Sequence, residues 1–128
     1  MALNQIVTSF IAAEAITEFA IVSKDAAGKI VITDSAADAN VVGVAQRGCN
    51  AGDSVDVCIH GLTQVIASES ITFVTNPILS ANTDGKVQAT DTAGQYPICY
   101  IMSNTNQTSA SAGEQLKVMF TGPSVVYA

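Results

Sequence analysis

The chain states one plan twice. Val41-Val42-Gly43-Val44-Ala45-Gln46 is a short apolar run, a polar loop follows, and Gly52-Asp53-Ser54-Val55-Asp56-Val57-Cys58-Ile59-His60-Gly61 adds a Gly-Asp step, an alternating strand and a closing glycine. The plan returns as Pro97-Ile98-Cys99-Tyr100-Ile101-Met102 and then Gly113-Glu114-Gln115-Leu116-Lys117-Val118-Met119-Phe120-Thr121-Gly122. Upstream, residues 23–34 align with residues 80–91, and Gly85 stands 57 positions after Gly28. That spacing places Val41 against Ile98 and widens to 61 at Gly61 and Gly122, so four extra residues fall within the second polar loop, 103–112. Two copies are too few for a solenoid, which needs about three or more units to bury a continuous core. They imply a duplicated β unit with internal pseudo-two-fold symmetry.

Local chemistry agrees. Ala27-Gly28 and Asp84-Gly85 are hairpin signals, because glycine takes the positive φ that tight turns demand. Val55, Val57 and Ile59 alternate with polar or small neighbours, as do Leu116, Val118 and Phe120, which is the period of a strand with one buried face. The spacing predicts strands over residues 15–23, 30–33, 41–46 and 54–60, two more over 62–67 and 71–74, and their counterparts in the second half. Gly28, Gly52, Asp53, Gly61, Gly85, Gly113 and Gly122 mark the turns. Many short strands divided by turn signals imply an all-β fold, a small duplicated barrel or sandwich. We divide the chain into an N-terminal arm (1–14) outside the repeat, a duplicated β domain (15–122) and a C-terminal tail (123–128). Residues 1–14 read equally as a short helix, with Ile6, Phe10 and Ala13 on one face, as an extended arm lying on a neighbour, or as an element packed on its own domain.

A chain of 128 residues is one domain by size, able to bury roughly two-thirds of its unfolded surface without a metal or disulfide. Apolar residues make up 48%, aromatics 5%, and tryptophan is absent, so the core must come from Val, Ile, Ala and Leu, which pack well on a pleated sheet. Charged residues are only 12% and the net charge is −6. Without a basic cluster the chain lacks the phosphate contacts that nucleic-acid binding requires, and its sign disfavours an anionic membrane. No apolar run approaches the ~20 residues of a membrane helix, and no Lys or Arg precedes Lys24, so a signal-peptide n-region is not expected.

Candidate chemistry is sparse. Cys49, Cys58 and Cys99 are odd in number and contain no C-x-x-C pair, which fits reduced packing thiols rather than a disulfide framework or zinc site. His60 is the single histidine and has no clustered second ligand. Serines are plentiful, but a triad needs a histidine oriented by a carboxylate, and G-x-S-x-G is absent. Asp53, Asp56 and Asp84 lack the spacing of a calcium loop. No cofactor, metal or catalytic constellation is therefore expected. The alternative to a structural protein is a small carrier or binding module, with Lys86 or Lys29 at a hairpin tip bearing a swinging group, as in lipoyl and biotinyl domains.

Val-Gly-Val-Ala (Val42 to Ala45), a short loop, Gly-Asp-x-Val-x-Val (Gly52 to Val57), Gly61 and a Leu-Ser-Ala-x-x-x-Gly-Lys-Val hairpin (Leu79 to Val87) together resemble tailed-phage capsid cement, or head decoration, proteins. The likeness covers roughly residues 15–122. In the second half Ile98-Cys99-Tyr100-Ile101-Met102 stands where a second Val-Gly-Val-Ala would. The resemblance implies a β domain on the outer capsid surface of the virion, made in the host cytoplasm and partnered by the major capsid protein. It also implies self-association as a homotrimer, and no active site. Apolar side chains outside the repeat, Leu3, Ile6, Phe10 and Ile11 in the arm and Val125, Val126 and Tyr127 in the tail, are the candidate capsid-binding residues.

Overall fold

In a computed structural model the protein is all-β, a curled half-barrel sheet with no α-helix among the described residues. The structure describes residues 5–36, 38, 40–74, 77–90, 93–102 and 107–122. Among the described residues eleven strands follow in chain order: β1 (Gln5–Ile11), β2 (Ile21–Lys24), β3 (Ile30–Ile32), β4 (Val41–Ala45), β5 (Ser54–Ile66), β6 (Ile71–Thr72), β7 (Ile78–Ala81), β8 (Val87–Ala89), β9 (Pro97–Ile101), β10 (Ser109–Ala110) and β11 (Gln115–Phe120). A 3₁₀ turn, Thr83–Gly85, lies between β7 and β8.

The main sheet runs β3-β2-β4-β5-β11-β9-β7-β8, with β1 also paired to β5; β6 and β10 form a separate ribbon. Read from its centre outward, that order is the same on both sides. β5, β4, β2 and β3 of one repeat mirror β11, β9, β7 and β8 of the other. The registers repeat as well. Val22 faces Ile32 across β2 and β3, and Leu79 faces Ala89 across β7 and β8. Even a hydroxyl pair between strand and flanking loop is duplicated, Ser23 with Thr33 and Ser80 with Thr90.

Three boundaries differ from those read off the sequence. First, Ala45 faces Val57 while Ile101 faces Val118, so β4 and β9 correspond at a spacing of 56, one residue from the alignment of Val41 with Ile98. The connection into β9 is one residue shorter, which composition alone does not reveal. Second, strands 54–60 and 62–67 are one 13-residue strand, β5, that runs through Gly61 instead of closing there. Gly61 faces Gln5 of β1 and Phe120 of β11. A residue flanked by both partner strands is well served by having no side chain. Third, residues 71–74 form strand only at Ile71–Thr72, and strand 15–23 begins at Ile21. Phe19, with φ of 63°, breaks the extension just before it.

The repeat also begins earlier than residue 15. β1 stands to β5 as the C-terminal half of β5 stands to β11. Ile11 faces Ser54, and Ile66 faces Gln115. Ala12 and Ala67 each donate to the residue after a turn glycine (Asp53 and Glu114, both 2.9 Å) and each accept from that glycine (Gly52 and Gly113, both 2.8 Å). Ala12 bridges Ile30, and Ala67 bridges Val87. The Glu14 and Glu69 carboxylates accept from Ile32 N and Ala89 N at 2.8 and 3.4 Å. The sequence carries the same signal 55 residues apart, in Thr8/Thr63, Ile11/Ile66, Ala12/Ala67, Glu14/Glu69, Ile16/Ile71 and Thr17/Thr72. From Gln5 onward the segment set apart as an arm is the opening strand of the first repeat. It is extended and sheet-paired, so the helical alternative does not apply to it.

Burial follows the pleat. Along β5, Val55, Val57 and Val65 are fully buried while Ser54, Asp56 and His60 are exposed. Two apolar clusters result. The smaller belongs to the first repeat: Ala12, Ile16, Ala20, Val22, Ile30, Ala45, Val55 and Val57. The larger holds the equivalents from the second repeat, including Leu79, Val87, Leu116 and Val118, and adds Ile21, Val41 and Val44 from the first. The two repeats are therefore joined by a shared core as well as a shared strand.

Candidate interaction surface

β1 presents apolar side chains to solvent. Ile6 is 57% exposed, Val7 42% and Ile11 44%, whereas Phe10 is half-buried against the smaller core. The strand is held in place from beneath: Ser9 Oγ donates to Asp56 Oδ1 at 3.1 Å and Gln5 Nε2 donates to Leu62 O at 2.7 Å. Of the candidate binding residues, the structure brings Ile6, Phe10 and Ile11 together on this strand, while Leu3, Val125, Val126 and Tyr127 lie outside the described residues.

A second exposed apolar face was not anticipated. Ile78 of β7 and Tyr100 of β9 are paired across the strands and are 49% and 42% exposed; Val74, in the turn before β7, is 88% exposed. The sequence signal is weak here, because Ile78 and Tyr100 align with Ile21 and Val44, which are buried. Equivalent positions have opposite fates once the halves pack.

Between these faces the turn residues take distinct surroundings. Asp25 Oδ1 accepts from Ala27 N and Lys29 N, both at 2.9 Å, closing the Gly28 turn with a local acceptor of the kind Asp commonly supplies. A groove of about 390 Å³ beside it is lined by Ser9, Phe10, Ile11, Ala27, Gly28, Lys29 and Ser54. The equivalent turn of the second repeat is docked: Gly85 N donates to Thr33 O at 2.8 Å. The lysine that follows it, Lys86, lines only a small groove of about 30 Å³ with Asp84, Ala20 and Ile66. Of the two hairpin lysines considered for a carrier, Lys86 thus follows a turn pressed against β2, while Lys29 is exposed beside the open Gly28 turn.

His60 is exposed on β5 and lines none of these grooves. Among the described residues no group of three or more His, Cys, Asp or Glu could hold a metal ion, and no helix is long and apolar enough to cross a membrane. All three cysteines are free. Burial pushes the Cys58 thiol up, partly offset by backbone hydrogen bonding at His60, and burial pushes Cys99 up further.

No protein-family model matches the chain, and none of the curated proteins does. Among solved structures the fold is similar to the crystal structure of the head fiber gp8.5 N base of bacteriophage phi29. The TM-score is 0.66 at 18% identity, covering 93% of this chain and 97% of that one. The two chains therefore share an architecture over nearly their whole lengths.

Proposed function

We propose that the protein is a structural component of a phage head. In this reading it is a cement, or decoration, protein that binds the outer capsid surface and stabilises contacts between major capsid protein subunits. It works as a homotrimer, without catalysis or cofactor and without contact to nucleic acid or membrane. The observation that carries this reading is the full-length likeness of fold to a base domain named for a phage head fiber. The capsid-cement resemblance of the Val-Gly-Val-Ala and Gly-Asp-x-Val-x-Val motifs points the same way. The surface suits the role: a charge-poor chain exposes Ile6, Val7 and Ile11 along one strand, and exposed apolar side chains grouped on one element suit a protein contact.

The test uses substitutions rather than deletion, because removing residues 1–13 would take Ala12 out of the core. Purified protein is mixed with heads of the parent phage prepared without it, and bound protein is measured by co-sedimentation. Binding is expected for the native chain. An Ile6→Ser/Ile11→Ser variant that keeps its melting temperature should bind at least about ten-fold more weakly, the loss of two contact side chains worth ~1 kcal/mol or more. A native chain that ignores heads sinks the reading. If the variant binds undiminished, β1 is not the capsid contact.

A further inference from the structure

The two repeats are alike in fold and unlike in surroundings. Within the molecule, the Gly85 turn of the second repeat lies on β2 of the first: a Cβ placed on Gly85 would stand 2.9 Å from Ala20 Cβ and 3.0 Å from Ile21 N. Behind this contact Ile21 and Val44, paired across β2 and β4, are fully buried in the core they share with the second repeat. The second repeat thus offers a turn and its flank, the first offers an apolar strand pair, and the two surfaces meet.

Each half of that contact exists once more without its mate. The turn equivalent to Gly85 is that of Gly28, and a Cβ there would meet nothing within 4 Å. The groove beside it, between Phe10, Ile11 and Ala27, is the counterpart of the place beside Gly85 where Thr17 to Ala20 lie. The strand pair equivalent to Ile21 and Val44 is Ile78 and Tyr100, which is half-exposed. The second repeat's docking face is therefore open, and so is the first repeat's docking turn.

We propose that the protein associates with further copies of itself head to tail, the Ile78–Tyr100 face of one copy receiving the Gly28 turn and the Phe10 groove of the next. The contact between copies repeats the contact between repeats. A second copy is the occupant because the mating surface is already formed in the same chain, with a turn at the equivalent position, the same strand pairing and a matching groove. The interface joins two different patches, so it is heterologous and closes into a ring when the rotation between copies allows. It stands on the internal symmetry alone and does not depend on the capsid reading.

Two measurements decide it. Multi-angle light scattering should show a multimer for the native chain, and Tyr100→Lys should weaken association about thirty-fold or more by placing a charge at the centre of the contact. In a Cys49→Ser background, the double variant Ala27→Cys/Ile78→Cys should yield disulfide-linked multimers under mild oxidation, while either single variant yields none. Three results overturn the proposal. One is a native monomer at every concentration, whether residues 123–128 or another protein covers the face. The second is cross-linking of Ala27→Cys or Ile78→Cys alone, which means a face meets itself. The third is a double variant that oxidises without forming multimers.

Discussion

Gly43, Gly85 and Gly28 show three grades of constraint on one residue type. A Cβ on Gly43 would lie 2.2 Å from Cys58 O and 2.9 Å from its carbonyl carbon, so an added methyl must push β4 away from β5. Gly85 combines a φ of 71° with the close approach of Ala20 and Ile21, and Gly28 has a φ of 82° in open space. The left-handed backbone costs an L-residue about 1–2 kcal/mol, and a clash against rigid backbone adds more. Alanine is therefore expected to destabilise in the order Gly43→Ala (about 4 kcal/mol), Gly85→Ala (about 3), Gly28→Ala (about 1), read from urea midpoints in the Tyr100→Lys background. Equal losses at Gly28 and Gly85 would show that their surroundings do not differ as described. The turns themselves were legible in the sequence, because Asp-Gly and Ala-Gly steps announce a positive φ. The neighbours of the Gly85 turn were not, because Ala20 and Ile21 lie about 65 positions away.

Among the elements, β5 is the seam. Its N-terminal half pairs with β1 and β4, its C-terminal half with β11, and Gly61 sits at the junction. Because the strand belongs to both repeats, neither repeat is a separable unit. Deleting residues 1–11 strips one partner from residues 54–61 and uncovers part of the smaller core around Val55. The expected cost is about 2–4 kcal/mol, comparable to losing one large core side chain. In hydrogen exchange, amides of residues 55–60 should lose protection while those of 62–66, paired to β11, keep theirs. Uniform loss along β5 would contradict the division. The strand's identity was readable from alternation. Its continuity through Gly61 was not, since a glycine ends a strand as readily as it permits two partners to meet. The membership of β1 in the repeat was present in the sequence at a spacing of 55 but hidden by drift: the offset passes through 55, 57, 56 and 61 along one chain, and an alignment anchored on Gly28 and Gly85 runs out before reaching it.

For the whole molecule, the shared core ties the halves together. Ile21, Val41 and Val44 of the first repeat are packed with the second repeat's core, so unfolding is expected to be one transition, with far-UV dichroism and tyrosine fluorescence coinciding in urea. Its pH dependence has a definite sign. Cys58 and Cys99 have thiols raised by burial above their ordinary value, so above about pH 9, where free thiols ionise, the unfolded chain releases protons that the folded chain keeps. The unfolded state then binds fewer protons, and stability falls as pH rises. The thermal midpoint should decline between pH 8 and 10 more steeply in the native chain than in Cys58→Ala/Cys99→Ala. Parallel slopes would mean the thiols are not held neutral by the fold.

The sequence alone determined the all-β class, the positions of most turns and the aliphatic character of the core, because each depends on composition or on residues within a few positions of one another, and it determined the duplication because the same local pattern is written twice. Tertiary structure decided which of two equivalent faces is covered. Ile21 and Ile78 occupy the same place in the same pattern, and one is buried while the other is half-exposed. The second repeat packs over the first repeat's Ile21–Val44 pair, while the equivalent Ile78–Tyr100 pair of the second repeat is left half-exposed.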